Sequence, residues 1–379
     1  MKKILFRKIL IDFLHFLMLT LISTSIILWI FQAVNYLDLV IEDGRNYGVY
    51  FTYTLLSLPK IISKILPFSI FFSFYFILNK YENNNEMIIF WSFGINKIFL
   101  INFFLKFSIL LMLFQIFLTT LLIPKTQDIA RSLIRTSNLN FFEEIIKEKK
   151  FNDTVKDLTI HIDEKDAEGN LKNIYLKRDL GENNFEVTYA KRGNFKIINN
   201  IQLLILYEGK NITSNNNNIT NFNFSETTIN LSKIESNIMK VTKTQENTTI
   251  DLFKCYYLLK KNKVNKIEKN KFFRIENCTL QNLKVILREL YKRIFIPIYI
   301  PSLVIISLLL FLTSKQNINF TKHKIYIFMM GLLLIIISET SLRYVGSDIN
   351  ENIFLILFPF FSIFLLYIFL FINLKNKIN

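Results

Sequence analysis

FTYTLLSLPKIISKILPFSIFFSFYFIL, Phe51–Leu78, carries only two charged residues, Lys60 and Lys64, and is otherwise apolar or weakly polar. A helix that crosses the hydrocarbon of a bilayer needs ~20 such residues, so this stretch is long enough to span. Working outward, five more blocks of the same kind lie at about 9–34, 98–123, 293–313, 325–343 and 352–373. The 379-residue chain is 51% hydrophobic, with 39 Phe and only 20% charged residues, and its mean hydropathy is +0.31. Length alone would allow two or three soluble domains. The gathering of apolar residues into long blocks predicts an α-helical membrane protein with six transmembrane helices instead. The first block, Ile9–Val34, outlasts the ~7–15 residue core of a signal peptide and has no small-residue cleavage site, so it reads as a signal anchor.

All six prolines, Pro59, Pro67, Pro124, Pro297, Pro301 and Pro359, fall inside or at the edges of these blocks. A proline within a spanning helix frees a backbone carbonyl, which neighbouring helices and local adjustments must satisfy. Kinked, mobile helices are expected.

Orientation follows from Lys and Arg in the short loops. One side holds Lys2, Lys3, Arg7 and Lys8, then Lys80 and Lys97, then Lys315, Lys322 and Lys324, and finally Lys375 and Lys377. The opposite short loops, 35–50 and 344–351, hold little beyond Arg45, with Arg343 at a border. Both termini are therefore expected in the cytoplasm and the segment 124–292 outside, in a periplasm if the cell has two membranes. The net charge of +16 suits anionic headgroups or phosphates, and no nucleic-acid-binding motif accompanies it.

The organisation that follows is helices one to three over 1–123, a β domain over 124–252, a basic helical connector over 253–292, and helices four to six over 293–379. Asp157–Ile162 (DLTIHI) alternates polar and apolar residues, and Phe185–Arg192, Gln202–Tyr207, Ile219–Phe224 and Thr227–Leu231 read as short strands between Gly and Asn turns. Asn215–Asn218 is a loop tip. Short strands without intervening helices point to a sandwich or an all-β jellyroll-like domain. Cys255 and Cys278 can pair if this region is extracytoplasmic.

No nucleotide-hydrolysing motif is present, and GKNIT at Gly209–Thr213 lacks the glycine spacing of a phosphate loop. His15, His161 and His323 form no metal set, and no serine sits in a nucleophile elbow. A non-catalytic chain without cofactor or metal is expected, drawing its energy from a partner. Lys60 and Lys64, at i and i+4, share one helix face. A lysine near mid-membrane costs ~2.5–3.5 kcal/mol on insertion scales, so the pair either faces an anionic headgroup or phosphate or snorkels to the outer interface. Arg45 and Arg343 either complete a basic rim or act as interfacial anchors. Asp38, Glu42 and Asp43 sit near Arg45.

The cytoplasmic segment LNKYENNNEMIIFWSFGINK, Leu78–Lys97, holds a short amphipathic run from Glu86 to Phe93 within about 82–95. An in-plane helix with a large exposed Trp91 suits docking into a partner's cleft, or else rests at headgroup level. The lysine-rich run Lys260–Arg274 reads as a solvated face.

Together these residues resemble the LptF/LptG permease family of lipopolysaccharide exporters. The most specific match is Leu58–Gly94, where SLPK, ILPFSIFF, a polar gap and NEMIIFWSFGINK follow the family's pattern of two Leu-Pro pairs, a glutamate and a glycine. Glu86 and Gly94 fall on the glutamate and glycine of the family's ATPase-coupling helix. WIFQAVNYLDLVIEDG and ETSLRYVG look more like LptF, while Lys60 after Pro59 matches a substrate-contacting lysine of LptG. The resemblance implies an ABC transporter in which this permease pairs with a second, LptG-like one. An LptB-type cytoplasmic ATPase dimer would grip both coupling helices, and an LptC-type periplasmic bridge would receive lipopolysaccharide drawn from the outer leaflet of the inner membrane. Lys60, Lys64, Arg45 and Arg343 are then substrate-binding candidates, and Glu86, Trp91 and Gly94 coupling candidates. The alternative is a membrane-anchored periplasmic binding or sensory module without transport activity.

Overall fold

The computed structural model describes residues 2–37, 47–137, 148–155, 158–166, 169–181, 184–198, 201–215, 218–230, 243–260 and 278–375. Two compact units result, one of Met1–Ile30, Ser57–Asp128 and Lys243–Asn379, the other of Phe31–Leu56 and Ile129–Thr242. Helices α1 (Lys2–Asn35), α2 (Tyr47–Leu56), α3 (Leu58–Asn83), α4 (Met87–Ser92) and α5 (Lys97–Phe117) come first, and a π-helical turn at Leu118–Leu122 leads into α6 (Ile123–Ser137). After the sheet come α7 (Thr249–Lys260), α8 (Leu283–Ile294), α9 (Tyr299–Leu308), α10 (Phe320–Ser341) and α11 (Ile349–Lys375).

Among the described residues, six helices are long and apolar enough to cross a membrane: Lys3–Asn35, Tyr47–Asn83, Lys97–Leu133, Leu280–Leu312, Phe320–Tyr344 and Glu351–Lys375. They coincide with the six apolar blocks and overrun them, because backbone hydrogen bonding does not stop where the side chains turn polar. The fourth lies at the centre of its unit, with 89% of its apolar window buried against 11% for the sixth. Its α9 portion packs on α3, α5, α10 and α11. Aromatic rings fill the interior, with Phe13 and Phe74 centroids 4.0 Å apart and Phe74 and Phe104 5.4 Å apart. Gly331 on α10 lets the helix meet the Phe71 ring, which occupies the place of a Cβ. Small residues bring membrane helices this close, where dispersion rather than the hydrophobic effect drives packing.

Four of the prolines are satisfied in the same manner. A proline at i cannot donate to the carbonyl at i−4. The Ser63 carbonyl, four before Pro67, accepts from Gln115 Nε2 at 2.8 Å. The Thr120 carbonyl, before Pro124, accepts from Thr249 Oγ1 at 2.8 Å. The Arg293 carbonyl, before Pro297, accepts from Thr119 Oγ1 at 2.7 Å, and the Leu355 carbonyl, before Pro359, from Tyr291 Oη at 3.1 Å. Each freed acceptor is met by a side chain of another segment, as a low-dielectric interior demands.

The second unit holds one six-stranded antiparallel sheet in the order β1 (Phe151–Val155), β2 (Leu158–Lys165), β3 (Asn170–Gly181), β4 (Asn184–Ile198), β5 (Ile201–Asn215), β6 (Asn218–Asn230). The all-β expectation is met, with sequential meander connections among the described residues. β1 and β3 escape the sequence reading, since Lys, Arg and Asn interrupt the apolar alternation of NLKNIYLKRDLG. The two strands expected at Ile219–Phe224 and Thr227–Leu231 run as one to Asn230, because β5 pairs with β6 in one register on both sides of Ser225. Asn215 pairs with Asn218 at the hairpin end. Leu158, Ile160, Ile162, Ile174, Leu176, Leu204 and Leu206 form the apolar core of one face.

Cys255 on α7 and Cys278 are joined in a disulfide, with Cα atoms 5.8 Å apart. The bond is buried among Leu252, Leu259, Ile286 and Leu290, so it ties α7 to α8. Beyond Lys260, the basic run to Arg274 lies outside the described residues.

Candidate functional site

A cleft of about 260 Å³ opens where α3, the π turn, α8 and the 243–249 segment meet. Lys60 and Lys64 both line it, as their i,i+4 spacing requires, and so do Lys292, Arg293, Glu289 and Glu339. Lys60, half-buried, donates from Nζ to Gln245 Oε1 at 3.0 Å. Lys64 is exposed. Arg293 is 2% exposed and engaged at all three nitrogens: Nε meets Glu289 Oε1 at 3.1 Å, Nη1 the Asn247 carbonyl at 2.9 Å and Thr249 Oγ1 at 3.0 Å, and Nη2 the Gln245 carbonyl at 3.0 Å. A buried guanidinium is tolerable only when paired and hydrogen-bonded in this way. Arg293 is thus a strut that shapes the cleft, while Lys60 and Lys64 present ammonium groups to it. Gln115, 2% exposed, also lines the cleft. Its Oε1 accepts no hydrogen bond among the described residues. Cations outnumber carboxylates on this lining, and Pro67, Ile123, Ile296 and Leu342 supply apolar wall. The arrangement suits an amphiphile with an anionic head and a hydroxyl or amide donor.

Arg343 is exposed beside Leu342 and is not part of the lining. Arg45, with Asp38, Glu42 and Asp43, lies outside the described residues. Sequence reasoning missed Gln115, Gln245, Glu289, Lys292, Arg293 and Glu339. Polar side chains stranded in apolar blocks, such as Gln115 and Glu339, were the available signal.

The second element is α4. Glu86 directly precedes it and accepts from Asn84 Nδ2 at 3.1 Å. Gly94 ends the turn at φ +67°, a left-handed conformation that glycine adopts at little cost, and its N–H meets the Trp91 carbonyl at 3.0 Å. Met87 and Phe90 are buried, while Ile88, Ile89 and Phe93 are exposed. Trp91 is not the exposed ring that the sequence led one to expect. It is half-buried, edge-on to Phe311 at 6.1 Å and under Lys97 Nζ at 5.4 Å. The apolar end of the fourth span and a cation–π contact draw the indole inward. Lys97 Nζ also donates to the Phe311 carbonyl at 3.0 Å. The preceding turn is pinned by Lys315, whose Nζ donates to the Asn83 carbonyl at 2.6 Å and whose N–H meets Glu82 Oε1 at 3.2 Å.

The profile described as "Lipopolysaccharide export system permease LptF/LptG" matches residues 5–373, nearly the whole chain. The chain belongs to the LptF/LptG family. With its six apolar helices, this membership makes it a multi-pass inner-membrane protein of the permease type. It is also similar to the uncharacterized protein RP871 of Rickettsia prowazekii (strain Madrid E), 27% identical over 208 residues. That alignment covers 54% of this chain and 57% of the relative. The LptF/LptG match runs through both the cleft-lining helices and α4.

Proposed function

We propose that this chain is the LptF-like permease subunit of an ABC transporter that moves lipopolysaccharide out of the inner membrane toward a periplasmic bridge. The observation that carries the proposal is the cleft, where Lys60 and Lys64 flank a largely apolar recess braced by the buried, hydrogen-bonded Arg293. Phosphate groups of the lipid would meet the two lysines, and acyl chains would lie against apolar helix faces. Charge-assisted contacts of this kind are strong where water is scarce. Arg343 and Arg45 stay secondary candidates for contact with the lipid. On the other side, Glu86, the apolar edge Ile88, Ile89 and Phe93, and the Gly94 turn would seat in a cytoplasmic ATPase dimer, with Trp91 bracing the element from behind. A second permease of the family would complete the cavity. The distribution of Lys and Arg in the short loops supports cytoplasmic termini and a periplasmic sheet.

The test is affinity purification of the tagged chain from its own membranes in mild detergent, identifying every co-purifying chain and lipid. A soluble ATPase, a second six-span permease and bound lipopolysaccharide are expected. Reproducible recovery of the well-folded chain alone would sink the proposal and favour an anchored periplasmic binding module.

A further inference from the structure

One row of side chains crosses the sheet on the face opposite its aliphatic core. Phe151 pairs with His161, His161 with Tyr175, Tyr175 with Tyr189, and Tyr189 with Lys210. Directly paired residues of neighbouring strands point to the same side, so these aromatic rings and one ammonium stand in a line. Phe151 and His161 centroids are 4.7 Å apart, and those of Tyr175 and Tyr189 5.2 Å. The row is open: Phe151 is 66% exposed and Tyr189 47%.

A polar row flanks the rings. Asn173 Nδ2 donates to Asp163 Oδ2 at 2.9 Å, Lys191 Nζ to Glu208 Oε2 at 3.1 Å, and Arg192 Nη2 to Glu208 Oε1 at 2.6 Å. Those two cations, Arg192 foremost, hold the Glu208 carboxyl below the usual carboxylate range, so it stays an acceptor. Asn173 and Glu208 sit at φ +50° and +53°. A left-handed glutamate is uncommon, and strained backbone of this kind gathers at ligand sites. Tyr175, Tyr189, Asn173, Lys191, Glu208 and Lys210 line an open depression of about 410 Å³.

We propose that this face of the sheet is a binding platform for a saccharide chain. A pyranose ring offers one face of C–H bonds, which lies flat on an aromatic ring, and a rim of hydroxyls, which donate and accept at once. Tyr175 and Tyr189 supply the rings, Asp163 and Glu208 the acceptors, and Asn173 and Lys210 the donors. The strand spacing of about 4.8 Å repeats the rings at close to the length of one sugar unit. An extended peptide would pair along a sheet edge instead of lying across the strands. The site rests on the sheet alone. Identifying its ligand as the sugar portion of the transported lipid rests on the proposed function.

The experiment uses the full chain in lipid nanodiscs, titrated by calorimetry with the polysaccharide freed of its acyl chains by mild acid from the source strain's lipopolysaccharide. The parent is expected to bind, and Tyr175→Ala with Tyr189→Ala to weaken binding about tenfold or more. Tyr175→Phe with Tyr189→Phe, which keeps the rings, should bind within a few-fold of the parent and control for folding. No binding by the parent, or equal binding by the double alanine variant, would overturn the platform. Equal affinity for dextran would keep the saccharide site and overturn its link to the lipid. Lys60→Glu reads the permease proposal separately, because it should abolish export and leave this titration unchanged.

Discussion

Gln115 answers the carbonyl that Pro67 frees on α3: its Nε2 donates to the Ser63 carbonyl at 2.8 Å and to the Ser63 hydroxyl at 3.1 Å. The proline leaves the Ser63 acceptor unmet, and the glutamine, 52 residues from Ser63, satisfies it. Pro67 and Gln115 both line the cleft.

Gln115→Leu should therefore strand a buried carbonyl and cost about 1–3 kcal/mol, read as a lower unfolding temperature in detergent. In a Pro67→Ala background the restored N–H serves Ser63, so the same change should cost much less. Equal losses in both backgrounds would show that the pair is uncoupled.

Lys60 and Arg293 line one cleft but should fail differently. Lys60→Glu is expected to abolish lipid co-purification and export while the chain folds normally. Arg293→Ala removes the partner of Glu289 and should destabilise by about 3–5 kcal/mol, seen as loss of folded protein on size-exclusion chromatography. A stable Arg293→Ala protein would refute the strut.

On α4 the exposed and inward faces should separate. Phe93→Ser and Glu86→Arg are expected to lose the ATPase partner in pull-downs with unchanged melting, whereas Trp91→Ala should lower melting through its contact with Phe311. Gly94→Ala meets nothing within 4 Å, so its cost is the left-handed backbone alone, about 1 kcal/mol.

The disulfide spans a sequence separation of 23, and closing a loop of that size contributes about 3 kcal/mol in the chain-entropy picture. Cys255→Ser with Cys278→Ser should lower thermal stability accordingly. Alkylation without reductant should label neither cysteine in the parent. Labelling at full stoichiometry would show that the bond is absent.

Much of this was legible beforehand. Six spans, the placement of the prolines, the shared face of Lys60 and Lys64, and the short helix between Glu86 and Gly94 are local patterns. The inward turn of Trp91 was not, because it depends on Phe311, far along the chain. β3 was hidden for a related reason: Arg178 shares the face of Leu176 and pairs with Leu158, so alternation breaks down there, and pairing on both sides makes it a strand.

By itself the chain's order of residues determined how many stretches are long and apolar enough to cross a membrane, that prolines within them would leave carbonyls wanting donors, and which family pattern it carries. These follow from hydrophobic runs and from the missing N–H of proline, both properties of neighbouring residues. Which side chain answers each carbonyl, that Lys60 meets Gln245 185 residues away, and that Phe151, His161, Tyr175 and Tyr189 align in one row were decided only in three dimensions. Hydrogen bonds act over about 3 Å, and only packing and strand register bring distant residues within that reach.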